Sequence, residues 1–213
     1  MTESNQREVI LSIETAVEGG SLSILADETE IDGWSGTQEI SKAEDVLEQI
    51  AKLLRENNVN RNQIKLISVS KDVGSLTGQK IGLALAKGLT KSLKCGLVEI
   101  SVLEALLLEI KENFEGECIT AVASGRNNIW WQIFTMENEI MYKKNSNPQI
   151  SSNDEFYKII KQIDFKKIVF SSEIFRKKRQ ISGVFLIQNN EIYIPTKRIL
   201  ANLIGLCAAK SSV

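Results

Sequence analysis

The chain has 213 residues and a mass of 23.8 kDa, with 43% hydrophobic and 25% charged residues and a formal net charge of -1; these are the proportions of one globular domain or of two small units sharing a core. Histidine is absent, which excludes His-based acid–base catalysis, serine-type triads, HExxH zinc sites and His-ligated haem. Cys95, Cys118 and Cys207 are odd in number and far apart, so no disulfide framework and no CxxC metal or redox site is available, and a reducing compartment fits best. The stretch from Met1 to Glu8 is polar and acidic, and no apolar run approaches about 18 residues, so neither secretion nor a membrane span is expected and a cytoplasmic protein is.

Taken in chain order, Val9, Ile10, Leu11 and Ile13 followed by Leu22, Ile24 and Leu25 predict a β-hairpin bending at Gly19-Gly20, with a third strand over 29–34. Residues 43–57 carry apolar side chains at helical spacing, with Ser41 placed as an N-cap. A central strand over 65–70 then leads through a glycine-bearing loop, 71–78, into a helix over 79–93. This second helix is apolar almost all round, and Gly78, Gly82 and Ala86 lie four apart on one side, with Ala84 and Gly88 as a second small pair. Such a helix is buried on more than one face, against its own sheet and against another helix.

A short strand over 97–100 and a helix capped by Ser101 and running through Leu103, Leu106, Leu107 and Ile110 complete the first half. The second half opens with another hairpin, 118–123 and 129–134, turning at 124–128. A loop over 145–153, a helix over 155–163, a strand over 168–170 and a last helix over 196–209 after Pro195 follow. This order predicts an α/β protein of two halves, 1–112 and a smaller 113–213, each opening with a hairpin, and the last helix is expected to pack back on the first.

Residues 143–213 hold 13 Lys and Arg against 5 Asp and Glu, a local excess of eight positive charges. The Arg176, Lys177, Lys178, Arg179 run is a candidate RNA contact, against the alternative of a solvated face without interleaved aromatics. Gly74, Ser75, Thr77 and Gly78 precede a helix N-terminus, where backbone N–H groups can meet an anion, and Glu14 with Thr15 stands in the first hairpin turn. The loop matches neither GxxxxGK[ST] nor GxGxxG, so a phosphate site and a tight strand-to-helix turn are both open.

Four stretches together resemble the TsaB (YeaZ) family. Ile10-Leu11-Ser12-Ile13-Glu14-Thr15 matches its opening strand and turn, and Val73-Gly74-Ser75-Leu76-Thr77-Gly78-Gln79-Lys80-Ile81-Gly82-Leu83-Ala84 is similar to its GPGSFTGLRIGLA-like signature. Ser101-Val102-Leu103-Glu104-Ala105-Leu106 resembles its SSLEAL, and Arg126 and Trp131 its DAR…YW hairpin. Asp72-Val73 stand where the family has Gly-Pro, Leu76 for Phe, Lys80 for Arg, and Ser124-Gly125 before Arg126 for Asp-Ala, while Lys42-Ala43-Glu44 replace His-Ser-Glu. The likeness covers about half the chain, 9–110, and marks a divergent member.

The resemblance implies an actin-like (ASKHA, RNase H-like) fold and a non-catalytic scaffold or activator. Its partner would be a TsaD-like paralogue, the transferase that makes N6-threonylcarbamoyladenosine in tRNA beside the anticodon. It further implies a heterodimer through the first two helices, with Leu47, Ile50, Leu54, Ile81, Leu85 and Lys87 as interface candidates and intradomain core as the alternative for each. A TsaE-like ATPase in the assembled complex, tRNA bound through that complex, and a homodimer when alone complete the expected partners. No metal and no intrinsic cofactor are expected, a subunit interface being the place left for ATP or ADP. Two rivals remain: a degenerate paralogue that only homodimerises, and an actin-like ATP-binding enzyme using Glu14 and the Gly74–Gly78 loop.

Overall fold

The computed structural model describes residues 7–17, 19–36, 43–110, 114–124, 127–137, 142–162, 167–170, 192–195 and 199–211. Two mixed sheets organise them. The first contains β1 (Val9–Glu14), β2 (Ser21–Ala26), β3 (Thr29–Ser35), β4 (Ile64–Lys71) and β5 (Gly96–Ser101), in the order β3-β2-β1-β4-β5. β1, β2 and β3 pair antiparallel, whereas β4 and β5 run parallel to β1. The second contains β6 (Gly116–Ser124), β7 (Asn128–Met136), β8 (Tyr142–Lys144), β10 (Lys167–Phe170) and β11 (Ile192–Pro195), in the order β11-β10-β6-β7-β8, with β9 (Gln149–Ser152) also on β7. Again the opening hairpin is antiparallel and the later strands are parallel to its first strand. The two sheets therefore share one strand order, so the two halves that each begin with a hairpin are related lobes.

Alternation along the strands sorts side chains into three cores. Val9, Leu11 and Ile13 of β1, Leu22 and Ile24 of β2, and Ile64, Ile67 and Val69 of β4 face α1 (Ala43–Glu56) and α2 (Leu76–Leu93). On the far side of the second sheet, Ile119, Ala121, Ile129, Trp131 and Ile168 pack on Phe156 and Ile160 of α4 (Asn153–Ile160). The third core joins the lobes. It takes Cys118, Val122, Phe134 and Val169 from the second sheet and Ile100 from the first. With them pack α3 (Val102–Ala105), the 3-10 turn Leu106–Glu109, and Leu203, Ile204 and Ala208 of α5 (Leu200–Ser211).

The last helix thus lies against the first sheet, and serines make room for it. Ser12 of β1 stands beside Ser23 of β2 and Ser68 of β4 in the pairing register, forming a row of small side chains across three strands. All three are buried, Ser68 Oγ donates to Ser12 Oγ at 2.8 Å, and the Ala201 N–H of α5 donates to Ser21 Oγ at 3.1 Å. Gly205 completes the approach: a Cβ there would stand 2.3 Å from Leu25 Cδ1 and 2.4 Å from Ser12 Oγ.

Three expectations change. The helix through Ile110 is only α3 followed by the 3-10 turn, because Val102, Leu103, Ala105, Leu106, Leu107 and Ile110 are all buried and packing rather than helical period sets the path. Residues 149–152, expected as loop, form β9, with Pro148 just before the strand where its missing N–H costs no ladder bond. Pro195, expected to introduce a helix, ends the edge strand β11, and α5 begins at Leu200. Ser41, the expected cap of α1, and Thr196 lie outside the described residues.

Candidate functional site

Two surfaces collect the residues singled out by sequence. At the first, Glu14 ends β1 at 1% exposure, and its Oε1 accepts the N–H groups of Ala16 at 2.6 Å and Val17 at 2.8 Å. The carboxylate therefore holds its own turn. Thr15 Oγ1 donates to the Gly78 carbonyl at 2.8 Å, and the Ser75 N–H donates to the Ala16 carbonyl at 2.7 Å. Ser75 also caps α2 by accepting from the Gly78 N–H, which explains why the helix starts at Leu76 rather than at 79.

The glycines of the signature serve this junction. A Cβ at Gly74 would stand 2.3 Å from the Ala16 carbonyl oxygen, one at Gly78 2.1 Å from the Thr15 carbonyl oxygen, and one at Gly82 2.3 Å from Thr15 Oγ1. The close approach that the small residues at 78 and 82 predict is thus to the β1–β2 turn rather than to a neighbouring helix. An anion brought to Gly74 or Gly78 from that side would meet two carbonyl oxygens, a repulsive environment. Thr77 is exposed, as is Leu76.

The second surface is the outer face of α1 and α2. Leu47 is 46% exposed, and Lys87, Ala84 and Gly88 are exposed on α2, with nothing within 4 Å of a Cβ built on Gly88. Ile81 and Leu85 are half-buried, whereas Ile50 and Leu54 lie in the first core and offer no surface. The faces are also charged differently. α2 carries Lys80, Lys87 and Lys91 and no acid, while α1 carries Glu44, Asp45, Glu48 and Glu56 against Lys52 and Arg55.

Sequence reasoning missed a polar clasp between the lobes. Glu104 of α3, from the Leu-Glu-Ala stretch, accepts Tyr142 Oη through Oε2 and pairs with Lys144 Nζ at 2.7 Å through Oε1, both partners on β8 of the second lobe. Burial and the Glu104 carboxylate both push the Tyr142 hydroxyl above its ordinary value. Burial, then Glu104, likewise raises the Cys207 thiol. A folded-state pKa raised above the ordinary 10.0 means that Tyr142 contributes stability that is complete below pH 10.0 and lost as pH rises through the raised value. Glu104→Gln is expected to lower that pKa, seen as earlier tyrosinate absorbance in a spectrophotometric titration, and to cost about 1–2 kcal/mol by weakening two charge-assisted contacts. An unchanged titration would contradict the clasp. Only the position of Glu104, three residues after the cap Ser101, hinted at a fixed side chain.

Trp131, from the DAR…YW likeness, is a core residue at 3% exposure whose Nε1 donates to Ser151 Oγ at 3.1 Å and whose ring lies 5.9 Å from that of Phe156. Arg126 and the Arg176, Lys177, Lys178, Arg179 run lie outside the described residues. Among the described residues no three His, Cys, Asp or Glu side chains gather as a metal site would need.

Two lobes of one strand order, a first turn locked onto a glycine-bearing helix, and a terminal helix between the sheets define an α/β protein of the actin-like class. The family model for TsaD, tRNA N6-adenosine threonylcarbamoyltransferase, matches residues 40–192, well over half of the chain. A tRNA threonylcarbamoyladenosine biosynthesis protein TsaB from Buchnera aphidicola subsp. Baizongia pistaciae (strain Bp) is 29% identical over 90 residues, a match covering 40% of this chain and 40% of that protein's length. In fold the chain is similar to YeaZ from Pseudomonas aeruginosa, with TM-score 0.63, 13% identity, and 96% of this chain and 92% of that one covered. A P. aeruginosa protein described as similar to peptidase YEAZ gives TM-score 0.65 at 12% identity and the same coverage. An inorganic polyphosphate/ATP-glucomannokinase from Arthrobacter sp. strain KM gives TM-score 0.60 at 11% identity over 96% of this chain and 98% of its own. The chain belongs to the family that the TsaD model describes, as a divergent member of the TsaB (YeaZ) type.

Proposed function

We propose that this protein is a non-catalytic subunit that organises or activates a TsaD-like transferase making N6-threonylcarbamoyladenosine in tRNA. Family membership supports the pathway, and the observation that carries the role is the outer face of α1 and α2. There Leu47 is 46% exposed, and Ala84 and Gly88 leave α2 bare enough for another helix to approach closely. On this reading Leu47, Ile81, Leu85 and Lys87 meet the partner, while Ile50 and Leu54 only hold α1 on its sheet. A TsaE-like ATPase joins the assembled complex, tRNA binds through the complex with help from the basic 176–179 run, and ATP or ADP is held at most at a subunit interface. The complex works in the cytoplasm; among the described residues no helix is long and apolar enough to cross a membrane.

A second reading, self-association, is favoured by one observation. The basic α2 and the predominantly acidic α1 would face each other across a two-fold axis, so the same surface is complementary to a second copy. The kinase-like reading is disfavoured by the two carbonyls that occupy the glycine cradle.

Depletion of the protein in its host, followed by nucleoside mass spectrometry of total tRNA, tests the pathway. Threonylcarbamoyladenosine is expected to fall sharply and to return with the wild-type chain. Leu47→Asp combined with Gly88→Glu, both at exposed positions, is expected to fold normally, fail to restore the nucleoside, and weaken transferase binding by about thirtyfold or more. An unchanged nucleoside level on depletion would remove the pathway role, and full rescue by the double variant would remove the helical face from it.

A further inference from the structure

Polar side-chain atoms without a partner are concentrated in one layer of the molecule. Ser70 Oγ, Glu109 Oε1, Thr120 Oγ1 and Trp130 Nε1 are buried and have no hydrogen-bond partner among the described residues. Each belongs to the region where the lobes meet. Ser70 shares its face of β4 with Leu66 and Ser68, and Glu109 ends the 3-10 turn between Leu107 and Ile110 of the joining core. Thr120 lies between Cys118 and Val122 on the inner face of β6, and Trp130 packs on the same core from β7. None of them lies on the outer faces that α1, α2 and α4 cover.

Three of these groups gather on the second sheet. Thr120 is paired with Gln132 of β7 and with Val169 of β10. Trp130, two residues before Gln132, is therefore its diagonal neighbour on the same face, with Cβ carbons about 7 Å apart. The 3-10 turn that carries Glu109 packs on β10, which flanks β6 on its other edge. Thr120 is 0% and Glu109 7% exposed, so bulk solvent does not serve them. Their chemistry is complementary but unconnected: an indole N–H only donates, a carboxylate only accepts, and a hydroxyl does either. Leaving such groups dry costs free energy that a hydrogen-bonding occupant recovers.

We propose that this face of the second sheet holds an internal water site. One water accepts the Trp130 indole N–H and donates to Thr120 Oγ1, a bridge that spans about 5–6 Å between the two heavy atoms. The Thr120 hydroxyl proton is then directed through a second water to Glu109 Oε1. The chain runs from an obligatory donor to an obligatory acceptor and satisfies all three groups. An ion would not: a cation is repelled by the indole N–H and an anion by the carboxylate. Because α3 and α5 pack into the same core, these waters become part of what fixes one lobe against the other. The site is independent of the proposed tRNA role.

Water–protein NOE spectroscopy on the intact, isotope-labelled chain tests it, with the Trp130 indole resonance assigned by its loss in Trp130→Phe. That indole N–H is expected to show a water cross-peak of the sign given by a long-lived internal water, and Thr120→Val is expected to abolish it. Thr120→Val keeps the shape and the β-branching of the side chain, so a dry, unpaired hydroxyl would be lost with a gain in stability. A water-anchoring hydroxyl predicts the reverse, a folding equilibrium constant about threefold to tenfold lower by chemical denaturation. Absence of the cross-peak in the wild type, its persistence in Thr120→Val, or a higher folding constant in that variant would each overturn the proposal.

Discussion

Gly74→Ala and Gly78→Ala are each expected to lower stability by about 3–5 kcal/mol, enough to unfold much of a typical domain population at physiological temperature. Two effects combine at Gly74. Its φ of +98° is a conformation in which a Cβ costs about 1–2 kcal/mol, and that Cβ would stand 2.3 Å from the Ala16 carbonyl oxygen. At Gly78 the backbone angle is helical, but the clash is tighter, 2.1 Å from the Thr15 carbonyl oxygen. In both cases the obstacle is main chain that Glu14, Gly78 and Ser75 hold by hydrogen bonds, so it cannot swing aside as a side-chain tip would. Gly88→Ala is the matched control. It adds a methyl group to open space on the same helix and is expected to raise stability by about 0.5–1 kcal/mol. Chemical denaturation of the three variants decides the matter: equal small effects at 74, 78 and 88 would mean that the turn yields and that the glycines are not packing residues.

The second large effect belongs to Gly205. Gly205→Val is expected to cost about 3 kcal/mol by overpacking, because its new carbon would overlap Leu25 Cδ1 at 2.3 Å and Ser12 Oγ at 2.4 Å. Both of those residues are fully buried, so neither has solvent to retreat into. Gly205→Ala is expected to lose less, since alanine recovers about 1 kcal/mol of helix propensity. Undocking of α5 has its own signature: Cys207, half-buried, with its thiol pKa raised first by burial and then by Glu104, should react faster with a thiol reagent in Gly205→Val than in the wild type. Unaltered reactivity together with unaltered denaturation would show that the helix is not seated on the serine row.

The first lobe was legible because its signals are local. Short apolar runs at 9–13 and 22–25 about a glycine bend and the helical spacing of 43–57 predict β1, β2 and α1 to within a residue or two. What was missed depends on contacts distant in sequence. The serines at 12, 23 and 68 look like unremarkable polar positions until register places them in one row. Gly78 and Gly82 were recognised as packing glycines, but only the fold shows that they admit the β1–β2 turn. Ile50 and Leu54 show the limit of a wide apolar stripe: periodicity marks a helix as heavily apolar without saying which part its own sheet covers, and here the sheet takes these two and leaves Leu47 outside. The clasp from Glu104 to Tyr142 and Lys144 spans 38 and 40 positions, beyond any motif spacing.

The hydrogen bond from Ala201 to Ser21 closes a loop of 180 positions, and this has consequences for biosynthesis. The strands that α5 covers are translated about 180 residues before their cover. During elongation the nascent first sheet has one face protected by α1 and α2, and the other, with its serine row and Leu25, open to solvent. Closure must await synthesis and emergence of Leu200–Ser211. Long-range closure of this kind slows folding and lengthens the interval in which apolar surface is available to chaperones or to neighbouring nascent chains.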